Sequence, residues 1–281
     1  LVAGSFSLNE GQSVTCTITN NDIAPQLELQ KIVTYRSDLP ESLRRSPGSW
    51  LLKAIGTSST SGNGFAKSDS TFKAGEYTLS EEGDLTGYEA SGWDCGSTPV
   101  LSGNKINLVL GQYVYCTITN SSTYGKVTIK KVAYPTADTT TSFDFASDGL
   151  WTDKKPLVNQ GTIVKYVVPG SYSVTEDAKE GWRLSNLSCT DSDSTVDTLN
   201  PNKVNINVSN KEDVTCTFTN EKLGRIYGYK YEDSDGNGTR DTGERVLSGW
   251  KIMLNDSSTK ASTITDANGF YEFKDLIPDH N

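Results

Sequence analysis

The 281-residue chain has one histidine, one methionine and five cysteines, and each scarcity excludes something. With His280 as the only imidazole, no Ser-His-Asp arrangement can be assembled, and no other motif specifies catalysis, so the chain is expected not to be an enzyme. There is no Cys-x-x-Cys pair and no histidine cluster, which removes the usual ligand sets for zinc. No apolar run approaches the roughly 20 residues of a membrane-spanning helix, and no signal peptide opens the chain. Lys and Arg number 26 against 35 Asp and Glu, giving a net charge of −9 and a sequence pI near 4.8. The basic residues never cluster, so nucleic acid is excluded as a partner, while the acidic balance favours solubility and cation binding. Helical periodicity is missing too: no amphipathic helix of useful length is legible.

What is present is a repeat. Thr15-Cys-Thr-Ile-Thr-Asn20, Tyr115-Cys-Thr-Ile-Thr-Asn120 and Thr215-Cys-Thr-Phe-Thr-Asn220 place Cys16, Cys116 and Cys216 100 residues apart. Within that period Leu27-Glu-Leu-Gln-Lys31 corresponds to Val127-Thr-Ile-Lys-Lys131, and Gly75-Glu-Tyr-Thr-Leu-Ser-Glu81 to Gly170-Ser-Tyr-Ser-Val-Thr-Glu176. Gly87-Tyr88 precedes Cys95 as Gly181-Trp182 precedes Cys189. Side-chain character alternates with period 2, as half-buried strands require. The 35% apolar content is lean for one large globule and fits small sandwiches whose strands bury one face. The expected fold is therefore all-β: tandem β-sandwich domains in an elongated rod. Residues 27–120 and 125–220 are two such domains, joined at Ser121–Tyr124. Residues 1–20 read as closing strands of a preceding domain, and 224–281 as an incomplete unit of another kind. Leu1 and Asn281 both fall mid-pattern, as in an excerpt from a longer protein.

The alternation puts charge on apolar faces. Lys31 aligns with Leu27 and Leu29, Lys131 with Val127 and Ile129, Glu81 with Leu79, and Glu176 with Val174; Asn120 and Asn220 end strands on their apolar sides. Burial lowers a lysine pKa and raises that of a glutamate. Together they offer a neutral amine, a neutral acid and a carboxamide, the ingredients of a Lys–Asn amide bond formed with loss of ammonia. Lys and Asn are 89 residues apart in both repeats. In the alternative reading these residues cap strand ends with their heads in water.

Over residues 27–220 these features resemble the B-type domains of collagen adhesins and the prealbumin-like domains of bacterial pilins and surface adhesins. The resemblance implies immunoglobulin-like or prealbumin-like sandwiches with an internal isopeptide bond in each domain, mapping Lys31, Glu81 and Asn120, then Lys131, Glu176 and Asn220. The sequence departs from that pattern in carrying a cysteine pair per repeat. Sparse, widely spaced cysteines point to an oxidising, extracellular compartment. The expected disulfides are Cys95–Cys116 and Cys189–Cys216, each closing a loop of about 20–30 residues. Cys16 is left to a partner outside the chain.

Asp233-Ser-Asp-Gly-Asn-Gly-Thr-Arg-Asp-Thr-Gly-Glu244 matches a twelve-residue calcium loop. Asp233, Asp235, Asn237, Asp241 and Glu244 supply side-chain oxygens and Thr239 a carbonyl. The flanks carry no helix signal, so the loop implies calcium without paired helices; the alternative is a solvated Asp/Gly turn. Residues 225–278 resemble the calcium-binding B repeats of serine-aspartate-repeat surface proteins, with Asp266 as a further candidate ligand. Lys230 falls on the face of Ile226 and Gly228, and its partners are expected outside the chain. The leading expectation is a structural stalk or fibre segment of a cell-surface or extracellular protein, whose partners are neighbouring domains or subunits of the same fibre. The alternative is an adhesin module contacting matrix or glycan, with Trp50, Trp93 and Trp151 as candidate contacts, although such residues are more often core. A third reading, an accessory module of a secreted hydrolase, has no motif to support it.

Overall fold

Period-2 alternation produces strands almost everywhere. The computed structural model describes residues 7–17, 22–255 and 260–278, and among these the only helical segments are two single 3-10 turns, Glu41–Leu43 and Pro47–Ser49. No helix among the described residues is long and apolar enough to cross a membrane. The chain divides into two compact units, residues 1–122 and 123–281.

The first unit contains β1 (Gln26–Thr34), β2 (Leu51–Gly56), β3 (Ser59–Asn63), β4 (Phe65–Lys67), β5 (Gly75–Glu82), β6 (Tyr88–Ala90), β7 (Lys105–Leu108) and β8 (Tyr113–Ser122). They form two sheets, ordered β4-β1-β8-β6 and β3-β2-β5-β7. Leu27, Leu29, Val114 and Ile118 from one sheet meet Leu52, Tyr77, Leu79 and Ile106 from the other in a single buried core. First and last strands are parallel neighbours, with Leu29 opposite Cys116, Lys31 opposite Ile118 and Val33 opposite Asn120. A parallel pair cannot be joined by a tight turn, so all other strands lie between them in sequence.

The second unit opens with β9 (Gly125–Tyr134), β10 (Phe143–Asp148), β11 (Lys155–Leu157), β12 (Thr162–Val167), β13 (Gly170–Glu176), β14 (Trp182–Cys189), β15 (Thr195–Val196), β16 (Lys203–Val208) and β17 (Asp213–Lys222). Its sheets run β12-β9-β17-β14 and β11-β10-β13-β16-β15, again around one core. β9 and β17 repeat the parallel pairing in the same register, Ile129 opposite Cys216 and Lys131 opposite Phe218. The remainder forms two antiparallel pairs: β18 (Gly224–Tyr229) with β21 (Phe270–Leu276), and β19 (Lys251–Asn255) with β20 (Lys260–Ile264).

Three differences from the sequence reading have physical causes. The closing strands β8 and β17 run to Ser122 and Lys222, two residues past each Asn, because the parallel ladders continue to Ser121 and Glu221 and the antiparallel neighbours β6 and β14 pair the last residue. Residues 7–17 are exposed and carry no strand, since a strand needs a ladder partner and none among the described residues pairs with them. Cys16 is exposed and free there, while Asn20 lies outside the described residues. Trp50 is fully buried and Trp93 is buried, so neither is available as a ligand contact, while Trp151 is half-buried against the second core.

Both expected disulfides are formed, Cys95–Cys116 across 21 residues and Cys189–Cys216 across 27, each with Cα atoms 4.0 Å apart. Such loops contribute about 3 kcal/mol each by restricting the unfolded chain. In a Glu176→Ala chain, further replacing Cys189 and Cys216 by Ser is expected to lower the stability of that domain by about this amount in denaturant titration. An unchanged midpoint would show that the pair contributes nothing to folding.

Candidate functional site

Two matching sites sit inside the two sandwiches, each between the parallel first and last strands and the opposite sheet. Alternation carries Lys31 and Lys131 inward, and they rank among the largest fully buried side chains. Asn120 and Asn220 point inward from β8 and β17, four residues after the disulfide cysteine on the same face. Glu81 on β5 lies opposite Leu52, and Glu176 on β13 opposite Phe145.

In the second domain Lys131 Nζ donates to Asn220 Oδ1 at 2.5 Å, and Asn220 Nδ2 donates to Glu176 Oε1. Glu176 Oε2 stands 3.4 Å from the same ammonium. In the first domain Lys31 Nζ approaches Glu81 Oε1 to 2.5 Å, an ion-pair contact without hydrogen-bond directionality. Asn120 Nδ2 donates to that oxygen at 2.8 Å, leaving Asn120 Oδ1 buried without a donor. Burial pushes Lys131 down to about 8, outweighing the attraction of Glu176, and lowers Lys31 against the pull of Glu81. Burial also raises Glu176 above the usual carboxylate range, against the stabilising contacts from Lys131 and Asn220. At neutral pH a lysine near 8 is neutral about 10% of the time, against well under 0.1% for an ordinary one.

Each lysine also lies over an aromatic ring that the sequence reading did not assign to the site. Phe143 is 4.0 Å from Lys131 Nζ and Trp50 is 5.2 Å from Lys31 Nζ. Both rings stand two residues before the residue paired with the glutamate, and both meet the aromatic of the Gly-aromatic motif edge-on. Trp50 contacts Tyr88 at 5.5 Å, and Phe143 contacts Trp182 at 5.2 Å. That fixed offset was the available signal.

The acidic loop closes on itself. Asp233, Asp235 and Glu244 bring carboxylate oxygens within 4.8 Å of one another. Gly236 and Gly238, at φ 76° and 79°, let the backbone turn so that Gly236, Asn237 and Gly238 donate N–H groups to Asp233. These bonds, that from Gly238 foremost, hold Asp233 below the usual carboxylate range. Asn237 Nδ2 reaches Asp235 and Asp241, while Glu244 accepts from Ser234 and Asp241. Thr239 donates to Asn237 Oδ1. An all-oxygen set on one glycine-hinged turn fits a hard divalent cation. Asp266 lies outside this cluster and accepts from Asn268 and Phe270 in its own turn. Lys230 lies one residue past β18, half-buried, with its Nζ 5.0 Å from the Trp250 ring. A second acidic group missed in the sequence joins Asp191, Asp193 and Glu212.

The chain thus holds two tandem sandwiches, each closed by parallel first and last strands, followed in sequence by a unit carrying an acidic loop. Sequence profiles agree: residues 22–118 and 127–222 each match a prealbumin-like fold domain, and residues 224–280 match an SdrD B-like domain. The chain belongs to these families, as two prealbumin-like domains in tandem with an SdrD B-like domain. No curated protein matches it. Similar solved structures include the Bacillus anthracis TIE protein, at 16% identity and TM-score 0.40, covering 90% of this chain and 43% of that one. A streptococcal ancillary pilin is similar at 14% identity and TM-score 0.29, covering 91% and 87%. The major pilin from Streptococcus pyogenes is similar at 16% identity and TM-score 0.38, covering 72% and 99%. The chain thus spans under half the length of the first of these.

In an Asn220→Ala chain Lys131 is expected to titrate near 8 by NMR, well below an ordinary lysine. Because its folded pKa is depressed, the stability of that variant should rise as pH increases from about 8 towards the unfolded lysine value near 10.4. Titration at the ordinary value would refute the burial on which the site depends.

Proposed function

We propose that the chain is a load-bearing stalk or fibre segment of a cell-surface or extracellular protein, covalently closed by one Lys–Asn amide bond in each prealbumin-like domain. The observation that carries this reading is the fully buried Lys131 ammonium held on the Asn220 carbonyl while Glu176 grips the departing amide nitrogen. Neutral Lys131 Nζ adds to Asn220 Cγ. Glu176 takes a proton from the attacking nitrogen and returns it to Nδ2. The Nζ–Cγ bond forms, the Cγ–Nδ2 bond breaks, and ammonia leaves. Lys31, Glu81 and Asn120 hold the same three roles in the first domain. The reaction happens once and regenerates nothing, so it is not turnover catalysis.

The prealbumin-like and SdrD B-like families support a place in a surface fibre, where neighbouring domains or subunits are the partners. The acidic loop is read as a calcium site, with Asp233, Asp235, Asn237, Asp241 and Glu244 as side-chain ligands and Thr239 contributing its carbonyl. A bound divalent ion would supply positive charge to bind these carboxylates and stiffen the turn.

Intact mass of the reduced chain is expected to fall about 34 Da short of the sequence mass, about 17 Da for each ammonia lost. Glu81→Ala and Glu176→Ala should each abolish one deficit and leave the other. A reduced mass equal to the sequence mass sinks the amide reading. For the loop, calorimetry should detect calcium binding that is lost in Asp235→Ala combined with Glu244→Ala. Chelation should leave the two prealbumin-like domains unaffected.

A further inference from the structure

Each domain holds its two cross-links on one closing strand. Cys116 and Asn120 share the inner face of β8, and Cys216 and Asn220 share that of β17. The disulfide of the second domain ties β17 to β14, where Cys189 and Cys216 are directly paired. The Lys–Asn contact ties β17 to β9 on its other side. β8 likewise lies between β1 and β6, and Cys95 sits past the end of β6, beside the bridge of Asp94 to Thr117.

Tension enters a domain along its first strand and leaves along its last. In the first domain it enters near Gln26 and leaves near Ser122; in the second it enters near Gly125 and leaves near Lys222. Given the amide bonds of the proposed function, on which this inference rests, the covalent route runs from Lys31 directly to Asn120, and from Lys131 directly to Asn220. Residues 32–119 and 132–219 then hang as closed loops beside that route. Cys95 and Cys116 both lie in the first loop, and Cys189 and Cys216 both lie in the second.

We infer that neither disulfide bears load: the tensile strength of each domain is independent of the redox state of its cysteines. The disulfides act within the bypassed loops, holding the closing strand to its outer neighbour, and become load-limiting only in a domain that has not closed its amide bond. The two cross-links therefore divide their work by topology. The parallel pairing of first and last strands makes this possible, because it puts the entry and exit strands side by side at the level of the lysine.

Single-molecule stretching of the full chain, with and without dithiothreitol, tests this. For wild type, with its mass deficit verified, neither prealbumin-like domain should release extension in either condition. In the Glu81→Ala, Glu176→Ala chain both domains should unfold. Reduction should then lengthen the two steps by the residues that each disulfide withholds, 21 and 27. At about 3.4 Å per extended residue, these gains are roughly 70 and 90 Å. If that chain fails to fold, Asn120→Ala with Asn220→Ala makes the same comparison. A wild-type chain carrying both mass deficits that still lengthens on reduction overturns the inference and leaves the amide bonds standing. A wild-type chain with no deficit, stretching like the variant, overturns both.

Discussion

A lysine ammonium buried in the middle of a β-sandwich is the constraint on which the rest depends. Removing a charge of that size from water costs several kcal/mol even after the surroundings relax. A domain that keeps Lys31 or Lys131 fully inside must surround it with compensation. The glutamate supplies opposite charge, the ring beneath supplies its π face, and around Lys131 the asparagine adds a carbonyl. Each partner reaches the lysine from a different segment of the chain, so the solvation demand of one side chain fixes how four segments meet. Loss of ammonia would remove the charge altogether, exchanging an expensive ion for a neutral amide.

Topology makes that meeting reproducible. The first and last strands pair in parallel with the same register in both domains, so the lysine always lies two positions ahead of the residue opposite the cysteine. Asn follows Cys by four residues on a strand, which returns it to the same face. The disulfide and the buried triad are therefore two readings of one register. A one-residue slip of β8 or β17 would send both the cysteine and the asparagine to the solvent side.

Much of this was legible in the chain itself. The strand period exposed which lysines and glutamates face inward, and the 100-residue repeat paired the cysteines correctly. The strands past Asn120 and Asn220 were not legible, because Ser, Glu and Lys carry no strand signal of their own and are recruited by the ladder beside them. Nor were Trp50 and Phe143. A tryptophan read alone is a core residue or a surface contact, and only its offset from the glutamate's partner reveals that it floors the site. Lys230 shows the limit from the other side, since its alternation matched the buried lysines yet it stands past the end of β18. The clustering of Asp191 and Asp193 with Glu212 depends on chain segments about 20 residues apart, which no local pattern connects.

The aromatic floor has a consequence for how these domains can change. In one domain the large ring under the lysine is an indole with a phenol at its edge; in the other it is a phenyl with an indole at its edge. The indole has changed sides while each pair still fills one close-packed pocket. Interiors packed as densely as crystals tolerate volume-conserving exchanges far better than single enlargements or truncations. The two positions therefore behave as one unit of inheritance. Trp50 cannot become phenylalanine without leaving a void unless Tyr88 grows in the same step, and a graft between the domains must carry both rings or neither.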